Sequence, residues 1–181
     1  SPTPFLCTRL DEHFPDFQNG VRPDGWTFSG CDQNTDTYVS TSYYGLSAPS
    51  IRLDAAGEYI ATSPFANGAD LRFWIRGTGS QSTSSLLVEE YYSESWSSLA
   101  EIVPVPMAGT LMGPYALNTA SVQIRITWNE HPGEGNLAID DVQVSCLFTP
   151  TPTAAPSPTP SPITPTPSPS PEVPTPSKTP T

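Results

Sequence analysis

Apolar and polar positions alternate with a period of two along most of the chain up to Phe148. Val122, Ile124 and Ile126 alternate with Gln123, Arg125 and Thr127; Leu71, Phe73 and Ile75 alternate with Arg72, Trp74 and Arg76. Such runs give a strand one apolar face and one polar face, as antiparallel sheets with one wet side require. They recur every 10–15 residues or so, separated by Gly, Pro, Asn and Ser. The pattern predicts strands over Trp26–Ser29, Ser50–Leu53, Gly57–Thr62, Asp70–Arg76, Ser85–Tyr92, Trp96–Val103, Gly113–Leu117, Val122–Trp128 and Asn136–Cys146. Asp54–Gly57 and Ser93–Ser95 read as hairpin turns. No stretch of useful length carries a helical period. The pattern therefore predicts an all-β fold, a two-sheet antiparallel β-sandwich of the jelly-roll kind.

Composition changes abruptly after Phe148. Of the 33 residues from Thr149 to Thr181, 13 are Pro, nine Thr and five Ser. Proline removes backbone donors and fixes φ, and almost nothing apolar remains to bury, so this segment is expected to be disordered and extended. Polyproline II geometry at about 3.1 Å per residue would let it reach on the order of 100 Å. The chain opens with the same composition, Ser1-Pro2-Thr3-Pro4. We therefore expect a folded domain over 5–148 between the end of one Pro/Thr linker (1–4) and a Pro/Thr/Ser-rich linker (149–181). Segments of this kind serve as stalks and spacers on secreted proteins, often O-glycosylated.

Charge narrows the partners. The net charge is −11, with six Arg and one Lys, Lys178. That balance argues against nucleic acid and against anionic membrane surfaces. No apolar run approaches the ~20 residues of a membrane helix, so no membrane insertion is expected. No signal-peptide pattern opens the chain, which reads as a mature or excised one.

Several short motifs resemble a known superfamily. Glu12-x-Phe14 followed by Pro23-Asp24-Gly25-Trp26-Thr27 resembles the opening of secreted concanavalin A-like jelly-roll modules. Leu71-x-Phe73-Trp74-Ile75-Arg76 resembles their central strand. Leu86-Leu87-Val88-Glu89 with Trp96-x-x-Leu99 resembles their hairpin, and Asn136-Leu137-Ala138-Ile139-Asp140-Asp141-Val142 their last strand. The group includes MAM-type adhesion domains and several carbohydrate-binding modules. The resemblance implies a secreted β-sandwich located outside the cell or on its surface. Fold alone does not fix what it binds.

Asp140-Asp141 is the most unusual pair. Alternation sends one of two adjacent carboxylates inward, where it needs a cation or several donors. The resemblance implies that this pair lies beside an N-terminal strand and helps hold a structural Ca²⁺. The expected metal ligands are Glu12 with Asp140 or Asp141, completed by backbone carbonyls; the competing reading is a carboxylate held by backbone N–H groups and Arg9. Facing residues in an antiparallel pair have a constant number sum. Glu12 opposite Asp141 gives 153, as does Cys7 opposite Cys146, so a Cys7–Cys146 disulfide is expected, with Cys7–Cys31 as the competing pair.

The polar faces carry the candidate recognition chemistry. Arg72, Trp74 and Arg76 share one strand face, Glu89 and Tyr91 another, and Gln123, Arg125 and Thr127 a third. Stacked in one sheet, Arg72, Trp74, Arg76, Tyr91 and Arg125 would form a planar, donor-rich surface suited to a polysaccharide or cell-surface glycan. The alternative is a solvated face with an Arg–Glu ladder. Tyr38, Tyr43 and Tyr44 lie in a long connection that either carries function or packs over a sheet edge. Trp26, Trp96 and Trp128 read as core or edge packing. His13 and His131 read as surface residues, remote from any recognisable nucleophile. Glu89 and Glu90 are adjacent, so they point to opposite faces and cannot act as a glycosidase pair. No catalytic residues are assigned, and the chain is read as no enzyme. The expected function is a non-catalytic extracellular recognition module, glycan-binding or adhesive. The alternatives are a structural repeat of a surface fibre that contacts other copies of itself, or an accessory domain of a larger secreted enzyme.

Overall fold

The computed structural model describes residues 5–32, 34–79 and 82–148. Both Pro/Thr-rich linkers expected above lie outside the described residues. The domain is all-β: β1 (Phe5–Glu12), β2 (Thr27–Ser29), β3 (Thr37–Tyr38), β4 (Ser50–Leu53), β5 (Tyr59–Ala61), β6 (Gly68–Gly77), β7 (Ser85–Tyr92), β8 (Ser95–Ile102), β9 (Thr110–Ala116), β10 (Gln123–Asn129) and β11 (Leu137–Phe148), with a short 3-10 turn at Phe17–Asn19. No described helix is long and apolar enough to cross a membrane.

The strands form two antiparallel sheets. The first runs β3-β4-β11-β6-β9, and β1 joins the same edge of β11 that β4 uses; the second runs β2-β5-β10-β7-β8. β11 is long enough for both neighbours: β4 pairs with Leu137–Ile139, and β1 with Val142–Phe148. Alternation then decides which side chains meet. Leu71, Phe73 and Ile75 of β6 and Ile139, Val142 and Val144 of β11 face Leu86, Val88, Ile124, Ile126 and Trp128 of the other sheet, all at most 1% exposed. Each such burial is worth about 1.5–3 kcal/mol, which fixes the inward face of every strand.

Two local expectations change. Asp54–Gly57 is no hairpin turn, because β4 and β5 lie in different sheets. It is a corner between sheets, tightened by the Glu58 carboxylate accepting from the N–H groups of Asp54 (2.6 Å) and Ala55 (3.1 Å). Val122 precedes β10 and stands 39% exposed rather than joining the apolar face, since the chain leaves the sheet there. By contrast, β7 and β8 are joined as expected, by a two-residue turn in which Ser93 and Glu94 both have positive φ (50° and 63°). Positive φ at both central positions is the turn geometry that matches strand twist.

Candidate functional site

The two sheets present two outer faces, and the residues expected on one surface divide between them. Arg72, Trp74 and Arg76 project from β6 in the first sheet, whereas Tyr91 (β7) and Arg125 (β10) project from the second. This corrects the single-surface expectation. The cause is topological: β6 and β7 follow one another in sequence but pair into opposite sheets.

On the first sheet a strap covers the outer face. The connection between Val39 and Pro49 crosses β6 and β11. Tyr43 stacks on Tyr38 at 4.9 Å and 24°, and the Arg76 guanidinium lies 4.5 Å over the Tyr43 ring and donates to the Ser42 carbonyl. The Tyr-rich connection therefore packs over the sheet. Trp74 is closed in as well. A Cβ on Gly109 would lie 2.5 Å from Trp74 Cζ2, and one on Gly45 would lie 3.1 Å from Trp74 Cγ, so both loops approach the indole as closely as glycine allows. Neither Trp74 nor Arg76 offers an open platform.

The strap is anchored on the acidic pair. β11 has a bulge here: Asp140 faces Trp74 and Gln143 faces Arg72, so Asp141 and Val142 together oppose Phe73. Asp141 takes φ 49°, the left-handed conformation of the extra residue in a bulge. The bulge resolves the conflict that adjacent carboxylates pose to strict alternation. Val142 still faces the core, while both carboxylates reach the strap. Asp140 accepts from the N–H groups of Gly45 (2.9 Å) and Asp141 (2.8 Å). Asp141 accepts from Leu46 N–H (2.7 Å) and pairs with His13 Nδ1 (2.6 Å), whose Nε2 lies 3.2 Å from Asp11. Asp140 is fully buried, and burial pushes its carboxyl up to about 7 against the pull of the two backbone donors. Burial alone would lower the His13 imidazole, but the Asp141 hydrogen bond and the surrounding aspartates raise it.

Glu12 is not part of this group. A second bulge at Arg9 shifts the β1–β11 register, so Cys7 faces Cys146 as the constant sum predicts, but Glu12 faces Val142. Its carboxylate turns to Phe14 N–H at 2.7 Å. His13 takes the place expected of Glu12: ligand atoms of His13, Asp140 and Asp141 lie within 4.8 Å of one another. The two aspartates offer the oxygen donors a hard cation takes, and both already accept from backbone N–H groups.

The outer face of the second sheet is built differently. Arg125 on the central strand β10 forms an ion pair with Glu89 at 2.7 Å and lies 4.4 Å over Trp96 and 5.7 Å from the Tyr59 ring. Tyr91 faces Trp96 across the β7–β8 ladder, with ring centroids 5.2 Å apart. Gln123 donates to the Thr62 carbonyl at the margin. The result is three aromatic rings around one fixed guanidinium. Trp96 and Tyr59 were not expected here, yet the hairpin register already sets Trp96 opposite Tyr91. Trp128 and Trp26 do pack with the core, as expected. Glu90 points the other way from Glu89, buried and accepting from Asn118 N–H.

No protein-family model matches the sequence, and no curated protein matches it. Solved structures do. Two cleaved adhesin domains of Lys-gingipain from Porphyromonas gingivalis superpose with TM-scores of 0.55 and 0.56, at 16% and 15% identity, covering 78% and 77% of this chain and 99% of each domain. A carbohydrate-binding module solved with β-1,4-galactotriose overlaps at a TM-score of 0.46 and 13% identity, covering 76% of this chain and 97% of its own. At these identities the chain shares the β-sandwich fold of the adhesin domains.

Proposed function

We propose that the domain is a non-catalytic extracellular recognition module that holds a polysaccharide or cell-surface glycan on the outer face of the second sheet. One observation carries this reading: Arg125 is fixed by Glu89 over the Trp96 ring and beside Tyr59, with Tyr91 completing the ring of aromatics. Apolar C–H faces of sugars lie on aromatic rings, while hydroxyls find a pre-oriented guanidinium and carboxylate. The fold shared with adhesin domains supplies only the architecture. Glycan-array and polysaccharide affinity-gel assays test the reading. Trp96→Ala is expected to weaken binding about tenfold or more, the equivalent of ~1.4 kcal/mol. Retained binding in both Trp96→Ala and Tyr91→Ala would remove the face from consideration. Absence of any glycan ligand would favour a structural repeat or an accessory domain.

Two structural proposals accompany it. The first is a disulfide between Cys7 and Cys146, supported by their facing positions in the β1–β11 ladder. It would close nearly the whole domain, worth about 4–5 kcal/mol in the chain-entropy account. Cys31 is buried and free, its thiol pushed up to about 12 by burial. Non-reducing peptide mapping is expected to link the Cys7 and Cys146 peptides and leave Cys31 alkylated only after unfolding; any Cys31 link contradicts this. The second is a Ca²⁺ held by Asp140 and Asp141 without Glu12. Millimolar calcium is expected to raise the melting temperature over that in chelator, and Asp141→Asn to abolish the rise. Equal melting in calcium and chelator would end the metal proposal.

A further inference from the structure

Beyond the strap, the first sheet's outer face holds an open cleft of about 260 Å³. Its floor is a row across three paired strands: Asp11 on β1 faces Gln143 on β11, which faces Arg72 on β6. Its walls are Leu46 of the strap and Leu111 of β9, which stand 76% and 57% exposed. The two leucines give the polar row apolar walls that stand open to solvent.

The row is chemically graded. Asp11 shares His13 at 3.2 Å, yet its side chain stays 46% exposed. Gln143 presents a carboxamide, which offers both donors and an acceptor. Arg72 is 43% exposed, and its one ion pair among the described residues is a loose 3.7 Å contact with Asp70. Along this row the order is therefore carboxylate, amide, guanidinium, while His13 and Asp141, which also line the cleft, are engaged with each other at 2.6 Å. The complement is an ammonium, a peptide group and a carboxylate in the same order. Strands lie about 4.8 Å apart, so two gaps span about 10 Å. An extended peptide advances about 3.3–3.6 Å per residue, so three residues cover that span. The leucine walls suit apolar side chains. A chain of net charge −11 disfavours a purely anionic ligand but not a zwitterion.

We propose that this cleft is a second binding site, distinct from the aromatic face, for a short zwitterionic peptide with apolar side chains. Its amino terminus pairs with Asp11, its backbone with Gln143, its carboxylate with Arg72, and its side chains lie between Leu46 and Leu111. NMR titration of the ¹⁵N-labelled full chain with the peptide Leu-Ala-Leu, its N-acetyl form and its C-terminal amide tests this. The free peptide is expected to shift the amides of Asp11, Leu46, Arg72, Leu111 and Gln143, and each cap to weaken binding about tenfold. In Arg72→Gln the free and amidated peptides should bind equally. Equal binding of all three peptides to the unaltered chain, no shift at these amides up to tens of millimolar, or shifts confined to the Trp96 face would overturn the proposal. Should Arg72→Gln fail to fold, the capped peptides on the unaltered chain decide it.

Discussion

Gly45→Ala is expected to lower the melting temperature by on the order of 10 °C. Gly45 carries no special backbone requirement in φ; what excludes a side chain is the site itself. A Cβ at this position would overlap Asp141 Oδ2 and press on the Trp74 ring. The strap has to lift, and with it go the Gly45 and Leu46 N–H groups that hold Asp140 and Asp141. Asp140 is fully buried, so losing a donor leaves a carboxyl group that neither water nor protein satisfies. Breaking such a buried polar arrangement costs about 3–5 kcal/mol, and each kcal/mol moves the midpoint by about 2–4 °C in a domain of this size. Calorimetry of the single variant gives the size of the loss. The cause is read from a double-mutant cycle with Asp141→Gly, which removes the atom in conflict and relaxes the positive φ. The two changes together are expected to cost clearly less than their sum. Simple additivity would show that the strap is not seated on Asp141.

The second large effect is a stability that falls as pH rises. In chelator, the domain is expected to melt higher at pH 5 than at pH 8. The Asp140 carboxyl is pushed up to about 7 by burial, against ~3.9 in the unfolded chain. Between those values the unfolded state releases a proton that the folded state retains. Stability therefore declines from about pH 4 to pH 7 and is level above, by on the order of 4 kcal/mol for about three units. His13 acts in the same direction: its folded value is raised, so its contribution is present at low pH and lost as pH passes that value. Glu58, raised by burial, adds to the decline from the acidic side. Glu134 opposes them only at low pH. The Ser82 hydroxyl, with further donors from Thr83 and Ser84, holds it well below the usual carboxylate range, so its contribution is lost as pH falls below ~4.5. Asp140→Asn is expected to flatten most of the pH 5 to pH 8 difference. An unchanged slope in that variant would place the titration elsewhere.

Strand positions were legible because the core is a two-sided sandwich: burying Leu71, Phe73, Ile75, Ile124 and Ile126 requires their polar neighbours to face outward. Sheet membership was less so. Nothing local in Asp54–Gly57 says whether the chain turns back within a sheet or crosses to the other. That depends on the pairing of β4 with β11 and of β5 with β10, contacts distant in sequence. The same non-locality separated Arg72, Trp74 and Arg76 from Tyr91 and Arg125. Trp96 was within reach, because a two-residue turn at Ser93-Glu94 sets it opposite Tyr91. Tyr59 was not, since it nears Arg125 only through β5–β10 pairing. The acidic pair was recognised as anomalous, but a single inserted residue in each of β1 and β11 moved its partners. Register sums carry from Cys7–Cys146 only as far as the first bulge, which is why Glu12 and Asp141 do not meet.

The β1–β11 ladder begins with Phe5 beside Phe148, so the folded domain's two ends leave from adjacent points. Tension applied through both flanks would peel these strands apart rung by rung instead of shearing them in parallel, and peeling yields at low force because one pair of hydrogen bonds bears the load at a time. A covalent link at Cys7–Cys146, two rungs further in, would arrest that rupture almost at once and turn a mechanically soft joint into a firm one.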